Sequence, residues 1–221
     1  MESATYRLNG SEYIGAFATA TDQYVFAGSD TQKKSLAVLE ELLQVRSIVL
    51  SISGTNLIGI LARANSHGIL ISNLVYDFEI EALKKMDLGI EIGVLESDLN
   101  AVGNNIIAND KFAIVNPDYD SRAISQIRDV LDVEVVKSEI GGLKVLGANN
   151  VLTNKGLAIN NWSSDAEKEK LEKLLGLKSV RTTANRGSVS LGLSAIANSN
   201  ALIAGDETTG YELDRLLEAL E

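Results

Sequence analysis

The sequence predicts an α/β protein built as a five-bladed α/β propeller, with five copies of one unit around a pseudo-fivefold axis. Glycine recurs at intervals of 44, 44, 44 and 45 residues, and a short polar turn follows each of these glycines at a matching distance. A unit of this size is too small to bury its own core, so the copies must pack on one another. The recurring residues are Gly15, Gly59, Gly103, Gly147 and Gly192.

We therefore expect residues 1–221 to form a single propeller domain. Its repeats are predicted at approximately 14–57, 58–101, 102–145, 146–190, and 191–221 together with 1–13.

The third copy shows what one unit contains. The apolar, β-branched segment Val102–Ala108 is typical of a strand, and Asn109–Lys111 of a turn. Phe112–Val115 is then the returning strand of a hairpin, followed by an amphipathic helix and by a third strand from Val133. The other copies agree with this order, and their helices are predicted at about residues 31–44, 77–87, 120–131, 164–175 and 208–220.

The fifth copy stops after its helix and has no third strand of its own. The segment Ala4–Leu8, ahead of the first hairpin, alternates like a strand. If this N-terminal strand completes the fifth unit, the ring closes and leaves no open sheet edge. Closure of the ring by the N-terminus is therefore predicted.

The recurring glycine is best explained by a strand that approaches a crowded axis, where a side chain would clash, or by a bulge. Asparagines follow two of these glycines inside the predicted first strand: Asn104 and Asn105, and Asn149 and Asn150. Polar side chains at such positions must face water, the axial channel or a partner. They are the better candidates for an interaction surface than the asparagines of the turns.

Composition narrows the class of protein. A net charge of −10 disfavours a protein that grips nucleic acid through phosphates, although the lysines of the predicted fourth helix leave a local RNA contact open. The chain has no cysteine, which fits a reducing compartment. We see neither a signal peptide nor an apolar run long enough for a membrane span, and expect a cytoplasmic protein with no DNA and no membrane partner.

Signals of catalysis are missing from the sequence. The one histidine, His67, lies in a predicted turn, and with no cysteine a conventional zinc site could be assembled only from carboxylates. No phosphate-binding glycine loop and no nucleophile elbow occur. We expect no catalytic residue, no metal and no cofactor.

Several segments together resemble the archaeal translation initiation factor 6 family, in family order from the second repeat to the C-terminus. The family often has Pro at the positions of Ser72 and Tyr211, and eukaryotic relatives carry Arg at the position of Ile60. The matching segments are Asn65–Leu70, Leu99–Asn104, Ala108–Lys111, Thr153–Gly156, Ala184–Ser188 and Gly205–Leu213.

The resemblance implies the five-bladed propeller called the pentein fold. It also implies binding to the large ribosomal subunit, mainly to universal large-subunit protein fourteen near the sarcin–ricin loop, with limited ribosomal RNA contact. Occupying that face blocks joining of the small subunit by steric exclusion, without chemistry. We expect a monomer.

By motif, the resemblance implies that Asn104 contacts the ribosome. By the internal repeats, Ala16, Ile60, Ala148 and Leu193 are its equivalents in the other units. Asn105 and Asn149 are weaker additions to this predicted binding face.

Two alternatives remain open at this point. Enzymes of the same fold that modify guanidino groups use a cysteine nucleophile and a histidine base, and this chain lacks the cysteine. A scaffold protein with a partner other than the ribosome would leave subunit joining unaffected.

Overall fold

The computed structural model describes residues 1–221 and contains five three-stranded sheets around a common axis. Each sheet is one blade. Its inner strand lies at the axis, its middle strand runs antiparallel to the inner one, and its outer strand runs parallel to the middle one. A helix connects the middle strand to the outer strand in blades 1 to 4. The predicted five-bladed α/β propeller is confirmed.

The strand bounds repeat from blade to blade. The inner strands are Ala18–Ala20, Ala62–Ala64, Ile106–Ala108, Val151–Leu152 and Ala195–Ala197. The middle strands are Tyr24–Gly28, Gly68–Ser72, Phe112–Val115, Gly156–Asn160 and Ala201–Gly205. The outer strands of blades 1 to 4 are Arg46–Leu50, Glu91–Leu95, Glu134–Lys137 and Lys178–Thr182.

The blade helices lie within two to three residues of the predicted positions. They span Lys33–Leu43, Asp77–Lys84, Ser121–Leu131, Asp165–Leu175 and Gly210–Leu220. None has both the length and the apolar character needed to cross a membrane.

The N-terminal segment supplies the outer strand of blade 5. Glu2–Tyr6 pairs in parallel with Ala201–Gly205, in the register Glu2 to Ala201. The inner strands contact one another in a closed cycle, including that of blade 5 with that of blade 1. The predicted closure of the ring is therefore present.

One prediction about local structure is wrong. The segments around the recurring glycines are not strands, because each forms a single helical turn before its inner strand begins. We call these five segments the axial turns. Asn104, Asn105 and Asn149 therefore lie in axial turns, and Asn150 lies just after one. The axial turns are Ile14–Ala16, Ile58–Leu61, Val102–Asn105, Leu146–Asn149 and Leu191–Ser194.

Crowding at the axis explains the glycines, as the sequence predicted. A Cβ on Gly103 would lie 1.9 Å from the carbonyl oxygen of Gly59, and one on Gly59 would lie 1.8 Å from that of Gly15. The same relation links Gly15 to Gly192 and Gly192 to Gly147. The five backbones form a closed cycle, which we call the glycine ring.

The hydrophobic core lies between neighbouring blades. One cluster joins Phe26 and Ile48 of blade 1 to Ile69 and Leu83 of blade 2, and these four side chains are at most 2% exposed. A second cluster joins Leu70 of blade 2 to residues of blade 3 in the same way. No blade therefore buries its apolar face alone, as expected for units of this size.

Candidate functional site

The two ends of the propeller carry different elements. Ala62, at the start of an inner strand, pairs with Ile71, near the end of the middle strand. The axial turns therefore lie at the same end as the starts of the blade helices, and we call this end the axial-turn face. The opposite end, the hairpin face, carries the turns between inner and middle strands and the ends of the helices.

The large apolar side chains that are exposed concentrate on the axial-turn face. Eight such residues are exposed, and only Met86, which follows the helix of blade 2, lies towards the hairpin face. The rings of Tyr76 and Phe78 stack with centroids 5.7 Å apart. This concentration makes the axial-turn face the candidate docking surface. The seven on the axial-turn face are Tyr13, Leu74, Tyr76, Phe78, Val145, Trp162 and Tyr211.

All seven residues predicted to contact a partner lie in the axial turns, so the structure brings them together around the axis. Ile60, Asn104 and Leu193 are partly exposed. The other four are buried, with exposed fractions of 5% to 8%: Ala16, Ala148, Asn105 and Asn149.

The buried asparagines serve the fold. Asn105 Nδ2 donates to the carbonyl oxygen of Ala101 at 2.9 Å, and its Oδ1 accepts from Asn116 Nδ2 at 2.7 Å. Asn149 Nδ2 donates to the carbonyl oxygen of Val145, also at 2.9 Å. The prediction that polar side chains here must face water, the axial channel or a partner is therefore wrong for Asn105 and Asn149, whereas Asn150 lines the cavity on the axis.

Sequence reasoning missed the exposed aromatic side chains. Trp162 is 62% exposed, and Tyr211, in the first turn of the blade 5 helix, is 76% exposed. A signal was available, because Trp162 stands among Asn161, Ser163 and Ser164 in a segment with no apolar periodicity. An isolated aromatic residue in such surroundings is a better surface candidate than an asparagine beside a glycine.

Glutamates at the helix starts hold the loops of this face in place. Glu79, in the first turn of the blade 2 helix, accepts hydrogen bonds from Ser51 Oγ and from the backbone amides of Ser53, Gly54 and Tyr76, all at 2.7–2.9 Å. Burial by itself raises the pKa of Glu79, but these hydrogen bonds outweigh it and hold that pKa below its ordinary value.

The same arrangement recurs in blades 4 and 5. Glu212 accepts from Thr183 Oγ1 at 2.8 Å and from the amides of Gly187 at 2.7 Å and Thr209 at 2.8 Å, and the hydrogen bonds again outweigh burial and lower its pKa. Glu167 accepts from the amides of Ser164 and Gly141, and its pKa is also lowered, mainly by Ser164. These three glutamates tie helix starts to the loops between blades, which gives the axial-turn face a fixed shape.

The hairpin face is polar. Its turns are linked across blades, as in the bonds from Ser66 to Asp110 and from Ser199 to Asp22. His67 lies in one of these turns and is exposed. No three histidine, aspartate and glutamate side chains lie close enough to share a metal ion.

The lysine-rich helix of blade 4 carries an ion pair between neighbouring turns on its solvated face. Lys168 Nζ lies 2.8 Å from Glu172 Oε1, an i,i+4 pair with both side chains about one-third exposed. Glu172 also accepts from the backbone amide of Ser179, so local contacts hold both Lys168 and Glu172.

Comparison with known proteins gives one family. A profile described as the eIF-6 family matches residues 3–219. Translation initiation factor 6 of Methanosarcina mazei is 39% identical over 216 residues, which cover 98% of this chain and 97% of the relative. That of Pyrococcus horikoshii is 38% identical over 214 residues, with 95% and 94% covered.

The solved structures include one with the same architecture. A crystal structure of dimethylarginine dimethylaminohydrolase in an adduct with S-methyl-L-thiocitrulline superposes with a TM-score of 0.55. The match covers 87% of this chain and 95% of that one at 8% identity. At this identity the likeness concerns the fold alone, which is of the pentein type.

Proposed function

Since this chain belongs to the eIF-6 family, whose curated members are named translation initiation factor 6, we propose that it binds the large ribosomal subunit through its axial-turn face. One observation carries the choice of face. Seven of the eight exposed large apolar residues lie at that end, which is also the end of Asn104.

Bound there, the protein prevents the small subunit from joining by occupying the side where the two subunits meet. Steric exclusion needs a rigid body of sufficient size and no reacting group. A standard protein interface buries about 800 Å² on each partner, about a tenth of the 9167 Å² of accessible surface of this chain. One face of the propeller can supply that area. The rest of the bound molecule then occupies the space that the small subunit needs.

The chemistry of the partner follows from charge. With a net charge of −10, the protein is repelled by exposed RNA phosphates and attracted by a basic protein surface. Universal large-subunit protein fourteen, beside the sarcin–ricin loop, is the proposed main partner, with limited contact to ribosomal RNA. The apolar side chains supply the buried centre of the interface, and the acidic groups steer the approach.

A pair of matched variants tests the choice of face. Asn104→Arg adds a bulky cation at the centre of the axial-turn face, and Asn200→Arg makes the same change at an exposed turn of the hairpin face. We expect Asn104→Arg to lose co-sedimentation with purified large subunits, while Asn200→Arg pellets like the unchanged protein. Circular dichroism melting establishes that both variants are folded.

A second measurement tests whether the bound protein blocks joining of the subunits. Separated subunits are mixed with each protein and resolved on a sucrose gradient. The unchanged protein and Asn200→Arg should reduce joined ribosomes, and Asn104→Arg should not. Co-sedimentation of a folded Asn104→Arg variant at the unchanged level would contradict the proposed face, and free joining of subunits saturated with the unchanged protein would contradict the proposed function.

A further inference from the structure

A single arginine lies among the uncharged residues that line the propeller axis. Arg63 lies in the inner strand of blade 2, four residues after its ring glycine. The residues at the same place in the other blades are Thr19, Ile107, Val151 and Ile196, so Arg63 is the one charged side chain in this layer. Its place is peculiar to one repeat and is not required by the fivefold architecture.

The guanidinium of Arg63 lies under the glycine ring, and its Nε donor is unused. Nη2 donates to the carbonyl oxygen of Gly103 at 2.7 Å, and a Cβ on Gly147 would lie 2.8 Å from the same nitrogen. Nε is buried and has no hydrogen-bond partner. No carboxylate forms an ion pair with this arginine. Burial lowers the pKa of Arg63 to about 10, so the group stays charged near neutral pH.

A cavity of about 40 Å³ on the axis adjoins this guanidinium. Thr19 and Asn150 are its other polar side chains, and no acidic residue lines it. Since one water needs about 10–15 Å³ of such space, the cavity has room for a group the size of about three waters. Desolvating an unpaired ion costs several kcal/mol even after relaxation, so the fold has reason to keep a counter-charge here.

We propose that the axial cavity binds a small monovalent inorganic anion of halide size, with chloride as the cellular occupant. The Arg63 guanidinium holds the anion, and the hydroxyl of Thr19, which lines the same cavity, is a second donor. Polyatomic organic anions are too large for the space.

The route of entry is from the hairpin face. The cavity and a second, shallower one beneath the hairpin turns share a layer of small residues and one leucine. On the other side, the glycine ring brings backbones into contact. The anion can therefore exchange while a partner covers the axial-turn face. The shared layer is Ala20, Ala64, Ala108, Leu152 and Ala197.

Thermal unfolding in matched salts tests this site. The melting temperature is followed as chloride replaces gluconate at constant ionic strength, for the unchanged protein, Arg63→Met and Arg122→Met. Arg122 is exposed on the blade 3 helix and controls for loss of one positive charge. Chloride at ten times its dissociation constant raises the melting temperature by about 3–6 °C. We expect this saturable rise in the unchanged protein and in Arg122→Met, and its loss in Arg63→Met.

Crystals grown in bromide give a direct readout that does not depend on a variant folding. We expect an anomalous peak on the axis within hydrogen-bonding reach of Arg63 Nε. A cavity that holds only water, or no anomalous scatterer, in bromide-grown crystals would overturn the proposal. So would a chloride response of Arg63→Met equal to that of Arg122→Met.

Discussion

At the scale of single residues, the glycine ring shows why one residue type recurs through an otherwise divergent set of repeats. Each ring glycine packs its Cα against the carbonyl oxygen of the ring glycine in the neighbouring blade. A Cβ at any of the five would lie 1.8–2.0 Å from that oxygen, well inside the contact distance of any two heavy atoms. Only backbone can move to relieve such a clash, and each backbone is also part of the next contact.

Substitution of a ring glycine tests this packing. We expect Gly103→Ala to lower the free energy of unfolding by more than about 3 kcal/mol, because overpacking here displaces backbone instead of a flexible side chain. Gly210→Ala is the matched control, since no atom lies within 4 Å of its Cβ position at the start of the blade 5 helix. It should be neutral or stabilising by up to about 1 kcal/mol. Urea unfolding measures both, and equal effects would refute the account.

A second residue-scale pattern links the hairpin turns. Asn109 Nδ2 donates to the carbonyl oxygen of Thr153 in the next blade at 3.1 Å, and Asn65 and Asn198 make the equivalent bonds. Blades 1 and 4 carry threonine at this position, and Thr21 and Thr153 complete their own turns through Oγ1 without reaching a neighbour. Asparagine therefore serves both the turn and the contact between blades.

Exchange of these two residue types should have opposite effects. Asn109→Thr keeps the turn and loses the donor to Thr153, so we expect a loss of about 1 kcal/mol in unfolding free energy. Thr153→Asn adds a donor towards the carbonyl oxygen of Asn198 and should gain up to about 1 kcal/mol. Differential scanning calorimetry of both variants decides the point. If both substitutions shift the melting temperature in the same direction, the turn, and not the link between blades, determines stability.

At the scale of elements, the helix starts of blades 2, 4 and 5 are each fixed by a glutamate with a lowered pKa, which is buried in blades 2 and 5 and half-buried in blade 4. A carboxylate whose pKa is lowered in the folded state contributes stability above its unfolded pKa, and the contribution is lost as the pH falls through the folded value. Acid should therefore loosen the helix starts and the loops between blades before it affects the apolar core.

Glu212→Gln isolates one such contribution. The variant loses the charged acceptor of several hydrogen bonds, so at pH 7 we expect its unfolding free energy to fall by about 2–3 kcal/mol. Its stability should then decline less steeply than that of the unchanged protein between about pH 5 and pH 3. Glu41→Gln, at an exposed helix position, is the control and should follow the unchanged protein. Parallel pH curves for Glu212→Gln and the unchanged protein would contradict this assignment.

The elements also show how far sequence reasoning extends. The apolar stripe of Ile124, Ile127 and Leu131 located a helix to within a residue, because three turns make a 3.6-residue period visible. The axial turn Val102–Asn105 cannot be told from a strand by its sequence, because one turn is too short to show a helical period and β-branched residues follow it. The exposed aromatic residues do not follow from the same pattern, because apolar side chains beside a helix are typical of core positions.

At the scale of the whole molecule, closure of the ring makes the five blades interdependent. Glu2–Tyr6 pairs with the middle strand of blade 5 and completes that sheet, and Leu8, just after it, is fully buried in the cluster between blades 5 and 1. The ion pair of Arg7 with Asp206, at 2.9 Å, is exposed and adds little. The strand pairing and the burial of Leu8 therefore hold the ring closed.

Deletion of residues 1–9 tests whether the ring unfolds as one unit. Removing the strand and Leu8 should cost more than about 3 kcal/mol, which lowers the melting temperature by at least about 6 °C in a chain of this length. The exposed edge of Ala201–Gly205 should also promote aggregation. A peptide of residues 1–9 added in trans should restore part of the loss in proportion to the logarithm of its concentration, and a scrambled peptide should not. An unchanged melting temperature, or equal rescue by both peptides, would mean that the blades are held together without this strand.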